Sequence, residues 1–202
     1  MPKRSYVSPV RTDAVAEKRE RIIDAAAQFF REEHSIQAFS LDAVAKAAGV
    51  TRLTVYNQFG SRNGLLEAVF DEIAQKGGIF RHNDARAMAD PHQALHSAIE
   101  IFCDFWSSDP AIGRLHDAMA MDPDIAHGLT ERMERGRQTI AAIVARIAGD
   151  GAAPAAQRDA ADLIFALTGF ASYRVLAQAR SGEDVCGLLK MACDDVVRRM
   201  LA

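Results

Sequence analysis

Apolar residues recur at spacings of three and four along most of the chain, and this spacing predicts helices rather than strands. The first amphipathic stretch covers residues 14–33, where the recurring apolar positions include Ile22, Ile23, Phe29 and Phe30. About nine helices are predicted in all, over residues 14–33, 41–48, 52–58, 61–82, 91–107, 110–121, 123–148, 155–180 and 183–201. The sequence therefore predicts an all-α fold.

Local sequence signals mark where these helices begin and end. Asp-Pro pairs stand at 90–91, 109–110 and 122–123, and proline is well tolerated in the first turn of a helix. Ser40, Thr51 and Ser61 are predicted N-caps, because a hydroxyl can accept a free amide of the first turn. Gly49 is predicted to end the second helix with a positive φ.

Composition agrees with one helical chain of 202 residues, 49% of which are hydrophobic and 6 of which are proline. The net charge is −3, but it is unevenly distributed. Residues 1–62 hold 10 basic and 7 acidic side chains, whereas residues 63–202 hold 14 basic and 20 acidic ones. A basic front and an acidic rear suit a nucleic acid bound at one end only.

Several classes of function lack support in the sequence. No catalytic triad, phosphate-binding glycine loop or paired catalytic carboxylates stand out, so no enzyme and no cofactor are predicted. Cys103, Cys186 and Cys193 lack CxxC spacing and are expected to pack in the interior, with a redox role as the alternative. His92 and His96 are four apart but have no third ligand, so no metal site is predicted. The absence of a signal peptide and of a long apolar run predicts a cytoplasmic, nucleoid-associated protein without a membrane partner.

Residues 40–62 have the pattern of a helix-turn-helix. Ala45 is the small residue where two helices can cross, Gly49 fits the turn, and apolar residues on either side can clamp the pair. The second helix keeps an outward polar face, on which Arg52 pairs with Tyr56 and Leu53 with Asn57 at a spacing of four. A helix of this length, about 10 Å, can cross a major groove about 12 Å wide.

The side chains of this segment predict roles at double-stranded DNA. Thr51, Ser40 and Tyr56 have hydroxyls suited to phosphates, and Arg62 adds a positive charge beside free amides. Amide side chains read adenine and a guanidinium reads guanine, whereas Thr54 or Leu53 can meet a thymine methyl group. The predicted DNA-binding residues are Ser40, Thr51, Arg52, Leu53, Thr54, Tyr56, Asn57, Gln58 and Arg62.

Residues 15–66 resemble the DNA-binding domain of TetR-type transcriptional regulators. The resemblance lies in the segments RIIDAAAQFF and SLDAVAKAAGVTRLTVYNQFGSRNGLL. The chain departs from the family pattern at Leu53, where a small residue is usual, at Gln58, where His or Tyr is usual, and at Asn63, where an acidic residue is usual. These departures argue against transferring any known operator sequence to this chain.

The resemblance implies that the remaining helices dimerise and enclose a small-molecule pocket. The apolar segments 162–179 and 183–201 agree with a dimer interface, although burial within one monomer is the alternative. The residues predicted for that interface are Leu163, Phe170, Leu188, Leu189, Val196 and Val197. Aromatic residues and methionines can line an apolar pocket, and they can equally form plain core. The predicted pocket residues are Phe102, Phe105, Trp106, His116, Met119, Met133, Phe165 and Tyr173.

The predicted domains are an N-terminal arm at 1–13, a helix-turn-helix domain at 14–60, a connecting helix at 61–82 and a regulatory and dimerisation domain at 83–202. The predicted function is a homodimeric regulator, a repressor that an unknown small apolar effector releases from a palindromic operator. A helical carrier or enzyme with a non-functional helix-turn-helix is one alternative. A regulator that needs no ligand is another.

Overall fold

A computed structural model describes residues 9–32, 38–121 and 123–201 of the chain. Over these ranges the chain forms eleven α-helices and no strand, which confirms the all-α fold. Short 3₁₀ turns cover Ile79–Arg81 and Ala177–Ala179. The helices are α1 Pro9–Arg31, α2 Leu41–Ala48, α3 Arg52–Phe59, α4 Arg62–Lys76, α5 His82–Ala87, α6 Pro91–Ser108, α7 Pro110–Met121, α8 Pro123–Ala148, α9 Pro154–Thr168, α10 Phe170–Leu176 and α11 Gly182–Met200.

Most helix starts agree with the sequence signals. Helices α6, α7 and α8 begin at the prolines of the three Asp-Pro pairs. The carboxylate of Asp90 caps α6, because its Oδ1 accepts from the backbone N of His92 at 2.8 Å. Helix α1 begins at Pro9, five positions earlier than Ala14. Residues 1–8 of the predicted arm lie outside the described residues.

Two predicted helices are each divided in the structure. The segment 61–82 contains α4 only as far as Lys76, followed by a 3₁₀ turn and the start of α5. The segment 155–180 is broken at Gly169, whose ψ of 159° is extended. The indole Nε1 of Trp106 donates to the carbonyl of Thr168 at 2.9 Å, an acceptor that a continuous helix would use internally. A tertiary hydrogen bond thus satisfies the end of α9, and the helix can stop there.

The chain divides into two compact units, Met1–Ile73 and Ala74–Ala202, and the boundary falls inside α4. In the first unit, the apolar stripe of α1 packs on α2, and α2 packs on α3. Its core contains the fully buried side chains of Ile22, Val55, Leu65, Leu66 and Val69. The Phe30 and Phe39 rings close one end of that core, with 5.1 Å between their centroids.

The second unit is built around α6, α8, α9 and α11, which pack against each other. Its core is apolar, and Ile99, Ile140, Val144, Ile164 and Val185 have no exposed surface. Arg146 of α8 holds the chain after α5 by donating to the carbonyls of Arg86, Met88 and Ala89 at 2.8, 2.5 and 2.9 Å.

The length and composition of the described helices bear on whether one of them could cross a membrane. No single one of the described helices is long and apolar enough to cross a membrane. Helices α9 and α10 reach the required length and composition only when taken together, and they are bent by 52° at their junction.

Candidate nucleic-acid interface

Helices α2 and α3 form the predicted helix-turn-helix. Ser40 caps α2, since its Oγ accepts from the backbone N of Ala43 at 3.1 Å. Gly49 ends α2 with φ of 65°, a left-handed conformation that a residue without Cβ adopts at little cost. The next residue, Val50, donates its N–H to the carbonyl of Ala45 at 3.0 Å and so completes the turn. The predicted cap at Ser40 and turn glycine at Gly49 are therefore confirmed.

The contact between α2 and α3 is apolar and tightly closed. Val44 and Ala45 of α2 are 1% and 3% exposed, and Val55 of α3 is fully buried. Leu41 of α2 is also buried, at 9% exposed. Because Val55 is fully buried, the opposite side of α3 must face away from the core.

That outward side of α3 combines polar groups with two large apolar ones. Leu53 is 65% and Tyr56 is 55% exposed. Arg52 and Asn57 are also exposed, while Thr54 and Gln58 are half-buried. We call this set of six side chains, Arg52, Leu53, Thr54, Tyr56, Asn57 and Gln58, the α3 face. Exposed apolar side chains beside amide and guanidinium groups form a surface suited to base edges and methyl groups.

The start of α3 is organised by Thr51. Its Oγ1 accepts from the backbone N of Thr54 at 3.1 Å and lies 2.9 Å from the Thr54 Oγ1. The hydroxyl therefore has a structural partner within the same turn. An anion placed here would meet the free amides of the first turn, which carry the positive end of the helix dipole.

Arg62 begins α4 and braces the first unit. Its Nε donates to the carbonyl of Phe39 at 3.2 Å, and its guanidinium lies 5.8 Å from the centre of the Phe39 ring. The hydroxyl of Ser61 caps this helix by accepting from the backbone N of Gly64 at 2.9 Å. Arg62 is thus already engaged in the free protein, and its role at a phosphate stays a prediction.

Sequence reasoning missed the contacts of two charged residues of this unit. Arg19 lies on the polar side of α1, but its guanidinium is 4.6 Å above the Phe59 ring at the end of α3. Asp42 forms an ion pair with Arg52, with 3.3 Å between Oδ2 and Nη1. An arginine beside an aromatic residue is too common a pattern to reveal the first contact. The position of Asp42 in the first turn of α2 was the only available signal for the second.

Comparison with known proteins identifies the family to which this helix-turn-helix belongs. The sequence model of the bacterial regulatory proteins of the tetR family matches residues 22–69, the segment that contains α2, the turn and α3. The chain belongs to the TetR family. It is 31% identical over 138 residues to the HTH-type transcriptional regulator EthR of Mycolicibacterium smegmatis, an alignment that covers 67% of this chain. The chain spans about 64% of the length of that relative.

Solved structures with low sequence identity share the TetR-family fold. A TetR-family transcriptional regulator from Rhodococcus sp. superposes with a TM-score of 0.70 at 24% identity, over 90% of this chain and 99% of the other. The TetR-family regulator PfmR from Thermus thermophilus gives a TM-score of 0.65 at 21% identity, over 89% of this chain and 95% of the other.

The aromatic pocket residues predicted for this TetR-family chain pack against one another in the second unit. The Trp106 ring centroid lies 4.8 Å from that of Phe105, 6.0 Å from that of His116 and 5.2 Å from that of Phe170. Met119 is fully buried, and Tyr173 is 7% exposed. Phe102 and Phe165 both lie beside Gly136 of α8. Met133, by contrast, is 42% exposed and leaves little of its side chain for an interior pocket.

A cavity of about 250 Å³ in the second unit has a different lining, which is partly polar and partly apolar. None of the eight predicted pocket residues lines it. Its walls come from the end of the 3₁₀ turn, α5 and α6, and an ion pair of 3.2 Å joins Arg81 to Asp104 there. The lining residues are Arg81, Asp84, Ala85, Met88, Ser97, Glu100, Ile101 and Asp104.

The residues predicted for the TetR-type dimer interface lie in three different environments. Leu189 and Val197 are 2% and 7% exposed and belong to the core of the second unit, so the structure corrects their assignment. Phe170 turns its ring toward Trp106 and His116, with centroids 5.2 Å away in both cases. Leu163 is 45% exposed, and Leu188 and Val196 are half-buried. Val175 and Met191, 64% and 63% exposed, are apolar surface residues that the prediction omitted.

The cysteines Cys103 and Cys193 and the histidine His96 of the second unit are held by burial or by a protein partner. Cys103 and Cys193 are buried, and burial raises the pKa of each thiol to about 12, with the neighbouring Cys186 thiol adding to the effect on Cys103. Such thiols are protonated at neutral pH and react slowly. His96 bonds to Asp194, with 2.8 Å between Nε2 and Oδ1. Over the described residues, no group of three possible ligands is placed to hold a metal ion.

Proposed function

We propose that this TetR-family protein is a sequence-specific DNA-binding transcriptional regulator. In this proposal it acts as a homodimer on a palindromic operator, and it is a repressor that a small apolar effector releases. The observation that carries the proposal is the α3 face: Leu53 and Tyr56 stand out from a helix whose Val55 is fully buried. Neighbouring apolar side chains that stay exposed and are rimmed by polar groups are typical of an interaction site.

The dimensions and chemistry of α3 favour duplex DNA as that partner. Eight helical residues span about 12 Å, which matches the width of the major groove. Arg52 can donate two hydrogen bonds to guanine, and Asn57 can pair with adenine. Leu53 offers methyl groups that fit beside the thymine methyl. Tyr56 is expected to donate its hydroxyl to a phosphate and so fix the position of the helix.

A dimer is supported by the apolar surface of α9, α10 and α11. Leu163, Val175 and Met191 are between 45% and 64% exposed, and a second copy of the chain can cover them. Two copies related by a twofold axis present two α3 helices, which accounts for the palindromic operator.

Release by an effector is supported by the course of α4. This helix begins in the first unit and ends in the second, so a ligand that binds the second unit can act on it. A ligand shifts such an equilibrium only as far as it binds one conformation better than the other. Its site is proposed among the aromatic residues around Trp106, whose rings must separate to admit it.

Selection from a randomised duplex library tests the proposal. The protein is expected to enrich one palindromic sequence, which then binds more tightly in a gel-shift assay than a scrambled duplex of equal length. Tyr56→Phe is expected to weaken binding about three- to tenfold, because one hydrogen bond to a phosphate is lost. Tyr173→Phe, a buried tyrosine of the second unit, is the matched control and is expected to bind normally.

The same assays separate the alternatives. Failure to enrich any sequence contradicts the proposal and leaves a carrier or an enzyme with a non-functional helix-turn-helix. A thermal-shift screen of apolar metabolites then tests the effector, since a ligand that binds the folded state raises the melting temperature. Selective DNA binding without any such stabilisation identifies a regulator that acts without a ligand.

A further inference from the structure

An ion pair connects the first turns of the two helices of the helix-turn-helix. Asp42 lies in the first turn of α2, and Arg52 is the first residue of α3. The Asp42 Oδ2 and the Arg52 Nη1 are 3.3 Å apart. Both side chains remain about two-thirds exposed, at 66% and 67%.

This contact places a carboxylate at the edge of the α3 face. A negative charge beside the proposed DNA surface is repelled by phosphates and contributes nothing to general affinity. Its effect must therefore come through the group that it touches. An exposed arginine without a partner samples many rotamers, and a carboxylate on a neighbouring helix restricts that sampling.

The geometry leaves most of the guanidinium available. Arg52 has five N–H donors in a planar fork, and the contact with Asp42 involves one nitrogen, Nη1. The remaining donors are enough for the two acceptors of guanine in the major groove, O6 and N7.

We propose that Asp42 is a positioning residue that makes Arg52 select a G·C pair at one position of the operator. This inference rests on the proposed function and adds to it the source of specificity at that position. Asp42 holds the guanidinium in the orientation that reads a base edge and keeps it from turning to a phosphate. Without the carboxylate, Arg52 binds the backbone of any sequence.

Removing the Asp42 carboxylate is expected to change base preference and general affinity in opposite directions. Asp42→Asn is expected to reduce the preference for guanine at one position about tenfold, which corresponds to about 1.4 kcal/mol. Binding to a scrambled duplex is expected to stay equal or become tighter. The plot of log affinity against log salt concentration is expected to become steeper by about one, as one more phosphate contact requires.

The experiment compares five variants of the full chain with the wild type. They are Asp42→Asn, Asp42→Glu, Arg52→Met, the double variant of Asp42→Asn with Arg52→Met, and Glu17→Gln. Glu17 is an exposed carboxylate of α1, so its variant removes the same charge from the same unit. Each protein is titrated by gel shift against the selected duplex and its single-base substitutions, at three salt concentrations. Circular dichroism checks that each variant is folded.

The pattern across variants decides the inference. Arg52→Met is expected to lose the guanine preference, and Asp42→Asn is expected to change nothing further in that background. Asp42→Glu is expected to retain most of the preference, because a carboxylate is still present. Glu17→Gln is expected to keep the wild-type preference.

Two results overturn the inference while leaving the proposed function intact. One is a wild-type guanine preference in Asp42→Asn. The other is a uniform gain in affinity for every duplex, which shows that Asp42 only repels DNA. If the wild type selects no sequence at all, the proposed function fails, and this inference fails with it.

Discussion

Thr51 is both the N-cap of α3 and a candidate phosphate contact. Thr51→Ala removes the acceptor of the Thr54 amide and is expected to lower the free energy of unfolding by about 1 kcal/mol. Urea denaturation followed by circular dichroism measures this loss. Thr51→Ser retains the hydroxyl and is expected to stay close to the wild type. Equal stability of the alanine variant and the wild type would show that the cap is unimportant.

The environment of His116 predicts that the free energy of unfolding depends on pH. Burial lowers the pKa of its imidazole, against a smaller opposing effect of Asp117. As pH falls below the ordinary value of about 6.5, the unfolded chain takes up a proton that folded His116 resists. The unfolded state then binds more protons, so the free energy of unfolding is expected to fall between about pH 7.5 and 5.5.

Replacement of the imidazole isolates this effect. His116→Gln is expected to show a smaller loss of stability over the same pH interval than the wild type. Half-buried His82, whose pKa is also lowered mainly by burial, accounts for part of the loss that remains. His92→Gln, at an exposed position, is the control for replacing a histidine as such. An identical slope in wild type and His116→Gln contradicts the assignment.

Single residues could be predicted where their partners are close in the sequence. The caps Ser40, Thr51 and Ser61 each accept an amide three residues ahead, and the turn at Gly49 is equally local. Arg62 could not be assigned in this way, because its acceptor, the Phe39 carbonyl, is brought near by the packing of α4. Local spacing does not carry that information.

At the scale of elements, Gly113 of α7 fixes how α10 packs. A Cβ at this position would lie 2.3 Å from the Phe170 Cζ, and that ring cannot move freely beside Trp106 and His116. Gly113→Ala gains about 1 kcal/mol of helix propensity but forces this cluster apart, at about 1–3 kcal/mol. The overpacking is expected to dominate and to lower the melting temperature.

A second helical glycine provides the control. A Cβ at Gly187 of α11 has no atom within 4 Å, so Gly187→Ala gains propensity without a clash. It is expected to raise the free energy of unfolding by about 0.5–1 kcal/mol. Thermal melts of the two variants should therefore shift in opposite directions. A stabilised Gly113→Ala would mean that the Phe170 ring relocates easily.

Helix starts were easier to predict than helix breaks. Prolines and capping residues mark α6, α7 and α8 within their own first turns. The break at Gly169 depends on Trp106, which is distant in sequence and reaches the Thr168 carbonyl only after α6 and α9 have packed. The apolar pattern continues through the break, so periodicity alone predicted one helix.

At the scale of the whole molecule, the exposed apolar residues of α9 and α11 predict association. Leu163→Glu combined with Met191→Glu places two charges in the proposed interface and is expected to convert a dimer into a monomer. Sedimentation velocity measures the change. Operator affinity is expected to fall at least about tenfold, because two reading helices then bind independently.

Met121→Glu is the matched control, since Met121 is 78% exposed on α7, outside the proposed interface. It is expected to leave the sedimentation coefficient unchanged. A double variant that stays dimeric would place the interface elsewhere on the second unit. A wild type that is monomeric at all concentrations would contradict the dimer itself.

The position of the proposed dimer interface was the hardest feature to predict from the sequence. Leu163 and Leu189 are equally apolar, but Leu163 is 45% exposed and Leu189 is 2% exposed. A helix that packs both on the core of its own chain and on a second chain has apolar residues on two sides. Sequence periodicity cannot tell which of those sides faces the core. The proposed DNA-binding surface differs in this respect, because polar residues distinguish the outer side of α3.

The hydrogen bond of Trp106 has a practical consequence for experiments. The chain contains one tryptophan, and it lies in the second unit, half-buried at the junction of α9 and α10. Its intrinsic emission thus reports on that junction alone and is blind to the helix-turn-helix. Melting monitored by this emission, beside far-ultraviolet ellipticity, can therefore resolve the two units, and a quenched or blue-shifted spectrum can reveal an effector directly.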